Sequence, residues 1–182
     1  MDERLLPGIK NRLLQMVARS APGATTWRVR LHRWRGVKIG RGVWIGYDAI
    51  IETSSPHLVT IRDRASVGIR VTIIAHNREQ SGVVIEEDAS VGAGAIILPN
   101  VTIGRGAIVT ARSVVTRSVP PKTMVQGNPA RPIATVEVPL RLDVPVKEFA
   151  KGLKPIRPAA PADGPKENGT CVCVEQTALK RD

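Results

Sequence analysis

Isoleucine and valine recur at every sixth position through the middle of the chain, and this spacing predicts the fold. The series comprises Ile39, Ile45, Ile51, Ile61, Val67, Ile73, Ile85, Val91, Ile97, Ile103, Val109 and Val115. Two residues before each member stands a valine, an alanine or, once, a serine. Because side chains alternate across a strand, both positions point to the same side and would form a narrow aliphatic core. A short repeat of this kind is typical of a parallel β-helix.

An ordinary β-sandwich with accidental spacing is the alternative. The strands of a sandwich have uneven lengths, and they would not hold one six-residue register over about thirteen hexads. Glycine also follows several members of the series directly, where the chain must turn sharply. These glycines are Gly40, Gly46, Gly68, Gly92 and Gly104. Both features favour the β-helix.

Two stretches of the repeat region carry a family resemblance. One runs from Val91 to Gly104 and begins Val-Gly-Ala-Gly-Ala-Ile, and the other is Val125-Gln-Gly-Asn-Pro-Ala-Arg131. Residues 37–133 resemble the hexapeptide-repeat acyltransferases, and most closely the maltose and galactoside type of sugar O-acetyltransferase. The resemblance implies a left-handed β-helix of triangular cross-section, acetyl-CoA (coenzyme A) as co-substrate and a homotrimer. Without the resemblance, the general preference for right-handed crossovers between parallel strands would favour the opposite hand.

The chain divides into four parts in this interpretation. Residues 1–36 form an N-terminal helical segment, residues 37–120 the β-helix and residues 121–140 a closing strand and turn. Residues 141–182 are rich in proline, lysine and alanine, so we expect a tail that is largely disordered. The tail holds both cysteines, Cys171 and Cys173, whose spacing suits neither a disulfide framework nor a zinc site.

The best helix candidate spans residues 4–19. Its apolar residues fall on one broad stripe, with basic residues elsewhere. The stripe contains Leu5, Leu6, Ile9, Leu13, Leu14, Met16 and Val17. Two interpretations stay open: a helix that caps the end of the β-helix, and an anchor at a membrane surface. Residues 27–35 fit either a strand or a helix.

Two breaks in the six-residue spacing indicate where function lies. Four extra residues follow Ile51, and six follow Ile73. With three hexads to each coil, both loops leave from the same corner in neighbouring coils about 4.8 Å apart. Counting three residues past the repeat positions places one column of residues down that corner: Ser54, His76, Asn100 and Ser118.

The second loop carries the catalytic candidate. The run Val71-Thr-Ile-Ile-Ala-His-Asn77 resembles the segment that holds the catalytic histidine of sugar O-acetyltransferases. The resemblance implies that His76 takes the proton of an acceptor hydroxyl as the hydroxyl attacks the thioester, a task suited to neutral imidazole. It assigns Glu52 and Asn77 to orienting the base or the acceptor. A solvated Glu52 and a surface histidine without a role are the alternatives.

Other chemistry at these loops is disfavoured. Ser54 and His76 could form a nucleophile pair, but the family transfers the acyl group directly. The γ-type carbonic anhydrases share the fold and bind zinc through three histidines, whereas His32, His57 and His76 lack that spacing, so we expect no metal. His32 and His57 are interpreted as surface or structural residues. Transfer of another acyl group, an amine acceptor and a non-catalytic scaffold stay open as functions.

The resemblance also assigns a coenzyme A groove between neighbouring β-helices. Small residues there would let the pantetheine arm bond to the backbone, although they could serve turn geometry alone; they are Ala93, Gly94 and Ala111. Positions near the nucleotide phosphates are Thr116, Arg117 and Arg131, where a guanidinium suits phosphate. A backbone N–H near Ala93 would stabilise the oxyanion.

Composition and charge limit the partners. The 182 residues have a net charge of +11, and basic residues crowd the first forty positions. No nucleic-acid motif accompanies this charge, so an anionic membrane surface or plain solvation is favoured over nucleic acid. No long apolar run and no secretory signal are present, so we expect a cytoplasmic protein, with peripheral contact at the inner membrane face left open. Cell-surface polysaccharide synthesis is the expected role.

Overall fold

The computed structural model describes residues 5–77, 81–141 and 144–156. Three α-helices lie in this part of the chain: α1 (Leu5–Ser20), α2 (Trp27–Arg35) and α3 (Val146–Lys151). A short 3-10 helix spans Pro56–Leu58. The strands in chain order are β1 Lys38–Ile39, β2 Trp44–Ile45, β3 Ile50–Ile51, β4 Val59–Ile61, β5 Ser66–Val67, β6 Thr72–Ile73, β7 Val83–Ile85, β8 Ser90–Val91, β9 Ile96–Ile97, β10 Thr102–Ile103, β11 Ile108–Val109, β12 Val114–Val115, β13 Thr123–Gly127, β14 Ala130–Val136 and β15 Leu153–Pro155.

These strands build the parallel β-helix that the repeat predicts, with the left hand that the family resemblance implies. Face A contains β1, β4, β7 and β10, face B contains β2, β5, β8 and β11, and face C contains β3, β6, β9 and β12. Each strand pairs with the equivalent strand of the next coil, so that Ile51 lies beside Ile73 and Ile73 beside Ile97. The prediction of four coils with three hexads each is confirmed.

The core is the aliphatic column expected from the six-residue series. Every member from Ile45 to Val115 is at most 2% exposed, and Ile39 in the first coil packs against the cluster while partly buried. The smaller residues two positions earlier are buried as well, down to Ser113. Stacked isoleucine and valine side chains therefore fill the interior, which explains why the chain needs few aromatic residues.

The lower end of the β-helix is closed by an ordered C-terminal segment. After β13, strand β14 turns back antiparallel and β15 pairs with β14 in turn. Helix α3 buries Phe149 against Ile108 and Val136. The expectation of a disordered tail therefore does not hold for residues 144–156, where a few apolar residues dock between prolines and lysines. Residues 157–182, with both cysteines, lie outside the described part of the chain.

The upper end is covered by the N-terminal helices. Residues 27–35 form a helix rather than a strand, and Val29 on α2 joins the main core. The first coil has no coil above it, so its amides bond to the helical segment: the Ile45 amide donates to the Ala24 carbonyl and the Asp48 amide to the Arg19 carbonyl, each at 3.0 Å. Helix α2 thus contributes to the core at this end, whereas α1 adds no residue to the main cluster; for α1, the cap and the membrane anchor both stay predictions.

Helix α3 provides a direct test of the ordered C-terminal segment. We expect Phe149→Ala to lower the free energy of unfolding by roughly 3–5 kcal/mol, because it leaves a cavity against Ile108 and Val136. Val146→Ala on the same helix removes a side chain that is 73% exposed and should change stability by less than about 0.5 kcal/mol. Denaturant unfolding measures both. Equal small effects would mean that α3 does not dock in solution.

Candidate active site

The two loops that interrupt the repeat lie side by side, as their positions in the sequence predict. Both follow face C, where Ile51 pairs with Ile73. Farther along the loops, Gly82 has a positive φ of 74° and packs so closely on Leu58 that a Cβ there would collide with the Leu58 carbonyl. The ends of the two loops, just before β4 and β7, are therefore in direct contact.

The carboxylate of Glu52 joins the two loops. The residue is only 2% exposed. In its own loop, Oε1 accepts hydrogen bonds from the amides of Ser54 at 2.8 Å and Ser55 at 3.2 Å. From the next coil, Oε2 accepts from the amides of Ala75 at 2.7 Å and His76 at 2.9 Å, and it lies 2.8 Å from His76 Nδ1. The charge is thus surrounded by donors.

These contacts fix the protonation of the pair. Burial alone would raise the pKa of Glu52, but the hydrogen bonds from Ala75, His76, Ser54 and Ser55 lower it to about 2. An ionised carboxylate only accepts hydrogen bonds, so His76 Nδ1 must carry a proton. The other nitrogen, Nε2, then holds a lone pair whenever the ring is neutral. Because the His76 side chain is 53% exposed, a reactant can approach the ring.

A buried arginine supports the backbone on the far side of Glu52. Arg35 Nη2 donates to the carbonyls of Ile51 at 2.8 Å and Glu52 at 2.5 Å. Its Nε donates to Asn11 Oδ1 at 2.6 Å, and Nη1 donates to Gln15 Oε1. Burial lowers the pKa of Arg35 to about 10 while the charge of Glu52 raises it, so the guanidinium stays protonated at neutral pH. Both N-terminal helices are thereby connected to the site.

The remaining histidines have other surroundings. His32 is fully buried on α2, and burial followed by the charges of Arg35 and Arg28 lowers its pKa to about 3. Since arginine only donates, His32 Nδ1 accepts the hydrogen bond from Arg35 at 2.9 Å. His57 is exposed on the 3-10 helix of the first loop. His32 is therefore a neutral structural acceptor.

The predicted cofactor residues fall into two groups on opposite edges of face C. The edge between faces B and C holds Ala93, Gly94, Ala111 and, beyond the last coil, Arg131, which pairs with Gln126 in the closing hairpin. There the Arg112 amide donates to the Ala93 carbonyl at 2.9 Å, which stacks neighbouring coils. The other edge holds His76, the half-buried Asn77 and, two coils below, Thr116 and Arg117.

One chain therefore does not bring all of the predicted residues together. A hexad separates the two edges, and six extended residues span at most about 20 Å. A cavity of about 570 Å³ lies on the outer side of face B and reaches Ala93 beneath Leu140 and Val144. Its lining does not include His76. Within the described residues, no three histidine, cysteine or acidic side chains could together hold a metal ion; the expectation of metal-free chemistry stays a prediction.

Sequence reasoning missed the support behind Glu52. In the sequence, Arg35 is one of many basic residues within the first forty positions. One signal could have found this support: Asn11 and Gln15 are four residues apart in a helix, on the side opposite the apolar stripe. A polar pair with this spacing can face a buried partner, and here that partner is the Arg35 guanidinium.

Comparison with known proteins gives the family. Residues 82–117 match the family model of the bacterial transferase hexapeptide (six repeats). YvoF of Bacillus subtilis (strain 168), whose assignment as an acetyltransferase is provisional, is 31% identical over 136 residues, which cover 71% of this chain and 78% of YvoF. The chain belongs to the hexapeptide-repeat transferase family, and the family predicted from the sequence is confirmed.

Two further similarities bear on chemistry and fold. The 2,3,4,5-tetrahydropyridine-2,6-dicarboxylate N-acetyltransferase of Alkaliphilus metalliredigens (strain QYMF) is 49% identical over 55 residues, which cover 30% of this chain and 23% of that enzyme. The crystal structure of the acetyltransferase VCA0836 of Vibrio cholerae O1 biovar eltor, complexed with acetyl coenzyme A, superposes with a TM-score of 0.56 at 21% identity. The superposed region covers 72% of this chain and 87% of the VCA0836 chain. At 21% identity, this similarity supports the fold alone.

Proposed function

We propose that this protein transfers an acetyl group from acetyl-CoA to a hydroxyl of a sugar or glycan, with His76 as the general base. The observation that carries the proposal is the contact between the buried Glu52 carboxylate and His76 Nδ1. A carboxylate that accepts from one ring nitrogen fixes the tautomer in which the other nitrogen can accept a proton.

The reaction balances with these groups alone. The acceptor oxygen attacks the thioester carbonyl while His76 Nε2 takes the hydroxyl proton. The positive charge that develops on the ring is stabilised by the adjacent Glu52 carboxylate. When the tetrahedral intermediate breaks the C–S bond, His76 returns the proton to the departing thiolate, giving the acetyl ester and free coenzyme A. A backbone N–H near Ala93 would stabilise the oxyanion.

Acetyl-CoA fits the surfaces assigned to it. Ala93 and Ala111 have exposed side chains no larger than a methyl group, so the amides of a pantetheine arm could approach the backbone beside them. Arg117 and Arg131 are exposed and can reach phosphate oxygens. The family match and the named activities of the relatives support acetyl-CoA as co-substrate.

The choice between a hydroxyl and an amine acceptor follows from the base. A hydroxyl is a weak nucleophile until a base removes its proton, whereas a neutral amine can attack before it loses one. The hydrogen-bonded Glu52–His76 pair therefore favours a hydroxyl acceptor. A role in cell-surface polysaccharide synthesis would suit such an acceptor. The N-acetyltransferase among the relatives makes the amine the second candidate. The cytoplasmic location stays a prediction.

A homotrimer would complete the site. His76 and Ala93 lie on opposite edges of face C in one chain, so a groove that holds acetyl-CoA against His76 requires a second wall. In a closed three-fold ring, the edge that carries His76 in one subunit faces the edge that carries Ala93, Ala111 and Arg131 in the next. Three equivalent sites between subunits would result.

Replacement of His76 tests the assigned base. With acetyl-CoA and a panel of sugars, nucleotide sugars and lipid-linked glycans, thiol release identifies the acceptor. For that acceptor, we expect His76→Ala to lower kcat at least about 100-fold while coenzyme A binding is retained. His57→Ala is the matched control, an exposed histidine in the adjacent loop, and should keep near-normal turnover. Normal turnover by His76→Ala would exclude this mechanism.

Mixed assemblies test the shared site. Subunits with His76→Ala and subunits with Arg131→Glu should each be weakly active when assembled alone. Differently tagged copies of the two, expressed together and purified as mixed assemblies, should recover activity, because some interfaces then pair an intact His76 with an intact Arg131. A mixture of His76→Ala and His76→Asn subunits is the control and should stay inactive. Light scattering that finds an active monomer would refute the trimer.

A further inference from the structure

Helix α1 packs on the body with its polar side and turns its apolar side to solvent. Ile9, Leu13, Met16 and Val17 are 56%, 56%, 66% and 55% exposed. Their spacing of three and four residues places them on one face of the helix; we call these four residues the apolar stripe. The opposite face buries Asn11, Gln15 and Ala18. This orientation is the reverse of the usual amphipathic surface helix.

The inward side of α1 is fixed by specific polar contacts. Gln15 Nε2 donates to the Ala49 carbonyl at 2.9 Å, and Asn11 donates to the Thr53 carbonyl. Both side chains also accept from Arg35. Turning the helix so that the apolar stripe faced inward would break all four bonds, so the stripe stays outward in the folded chain and is accessible to a partner.

The charge around the apolar stripe identifies that partner. Residues 4–47 contain ten lysine and arginine residues and no aspartate or glutamate. On α1, Lys10 and Arg12 flank the stripe and are themselves exposed. On α2, Trp27 and Trp34 are 51% and 59% exposed. Apolar residues flanked by basic ones, with exposed tryptophan on the helix that packs beside them, match the polarity of an anionic bilayer surface.

We propose that α1 docks in the plane of an anionic lipid bilayer, with the apolar stripe inserted between lipid headgroups and the basic residues facing lipid phosphates. Within the described residues, no helix is long and apolar enough to cross a bilayer. The 16 residues of α1 give a length of about 24 Å, which suits a helix that lies on the surface.

A second copy of the chain is the less suitable occupant of the stripe. Two such surfaces would bring together the exposed Lys10 and Arg12 of both copies, and like charges at an interface oppose association. Four exposed side chains also form a small contact compared with the roughly 20–30 residues that each partner contributes to a stable interface.

Docking would set the position of the active site. The Thr53 carbonyl accepts a hydrogen bond from Asn11 on α1, and Thr53 follows Glu52 directly in the sequence. His76 belongs to the next coil, and neighbouring coils are about 5 Å apart. A bilayer against α1 would therefore lie near the corner that carries His76. Resting on the proposed function, this places the acceptor hydroxyl on a membrane-borne molecule such as a lipid-linked glycan.

Vesicle flotation tests the docking independently of any activity. The full chain is mixed with vesicles of phosphatidylcholine alone or of phosphatidylcholine with phosphatidylglycerol. We expect flotation with the anionic vesicles, reduced by salt and weak with the neutral ones. The double variant Leu13→Gln/Met16→Gln should lose at least about 10-fold in vesicle affinity, with unchanged melting temperature because both side chains are exposed. Val146→Gln, at an apolar residue of α3 that is 73% exposed, should float like the unaltered protein.

Three outcomes would overturn the proposal. Absence of flotation at low salt would exclude a bilayer surface. Flotation that the double variant retains would assign binding to charge without the apolar stripe. A change in oligomeric state of the double variant by light scattering, without a change in vesicle affinity, would identify the stripe as a contact between copies.

The docking and the proposed reaction can be tested separately. Loss of flotation by the double variant, with retained turnover on a soluble acceptor, would support the docking and show that the reaction does not depend on it.

Discussion

The ionised carboxylate of Glu52 is the interaction on which the rest of the site depends. A buried charge is unfavourable unless donors replace its lost water, and Glu52 receives five hydrogen bonds from two loops. The same carboxylate therefore stabilises the loop conformations and orients His76. Arg35 binds the adjacent carbonyls from behind, so the loops, the helices and the ring are parts of one polar network.

The β-helix supplies the precision that this network requires. Parallel coils keep Ile51, Ile73 and Ile97 in register, and the buried aliphatic column leaves little freedom to slide one coil past another. Insertions at the same corner of neighbouring coils then bring their first residues within hydrogen-bonding distance. A short repeat thus determines the position of Glu52 relative to His76, although 24 residues separate them in sequence.

The sequence was sufficient where a periodic pattern determines position. The coils, the buried column and the adjacency of the loops follow from the six-residue spacing of isoleucine and valine, because the inward-facing side chains of successive coils must stack. The network behind Glu52 was missed, since nothing local to Arg35 shows that a distant backbone needs its donors. For α1 the sequence leaves two orientations open, an apolar stripe facing the body and one facing a membrane surface. The bonds of Asn11 and Gln15 to the body, which turn the stripe outward, are not visible in the sequence pattern. The docking of α3 depends on Phe149 and a few neighbours, too sparse to form a pattern.

The tautomer of His76 is the most direct test of this account. Nitrogen-15 NMR of protein labelled at histidine, at a pH high enough to keep the rings neutral, distinguishes a protonated ring nitrogen from one that holds a lone pair. The account predicts that His76 carries its proton on Nδ1, facing Glu52, with Nε2 unprotonated, and that Glu52→Gln weakens this preference. A neutral His76 protonated on Nε2 would contradict it, because no lone pair would then face the acceptor hydroxyl.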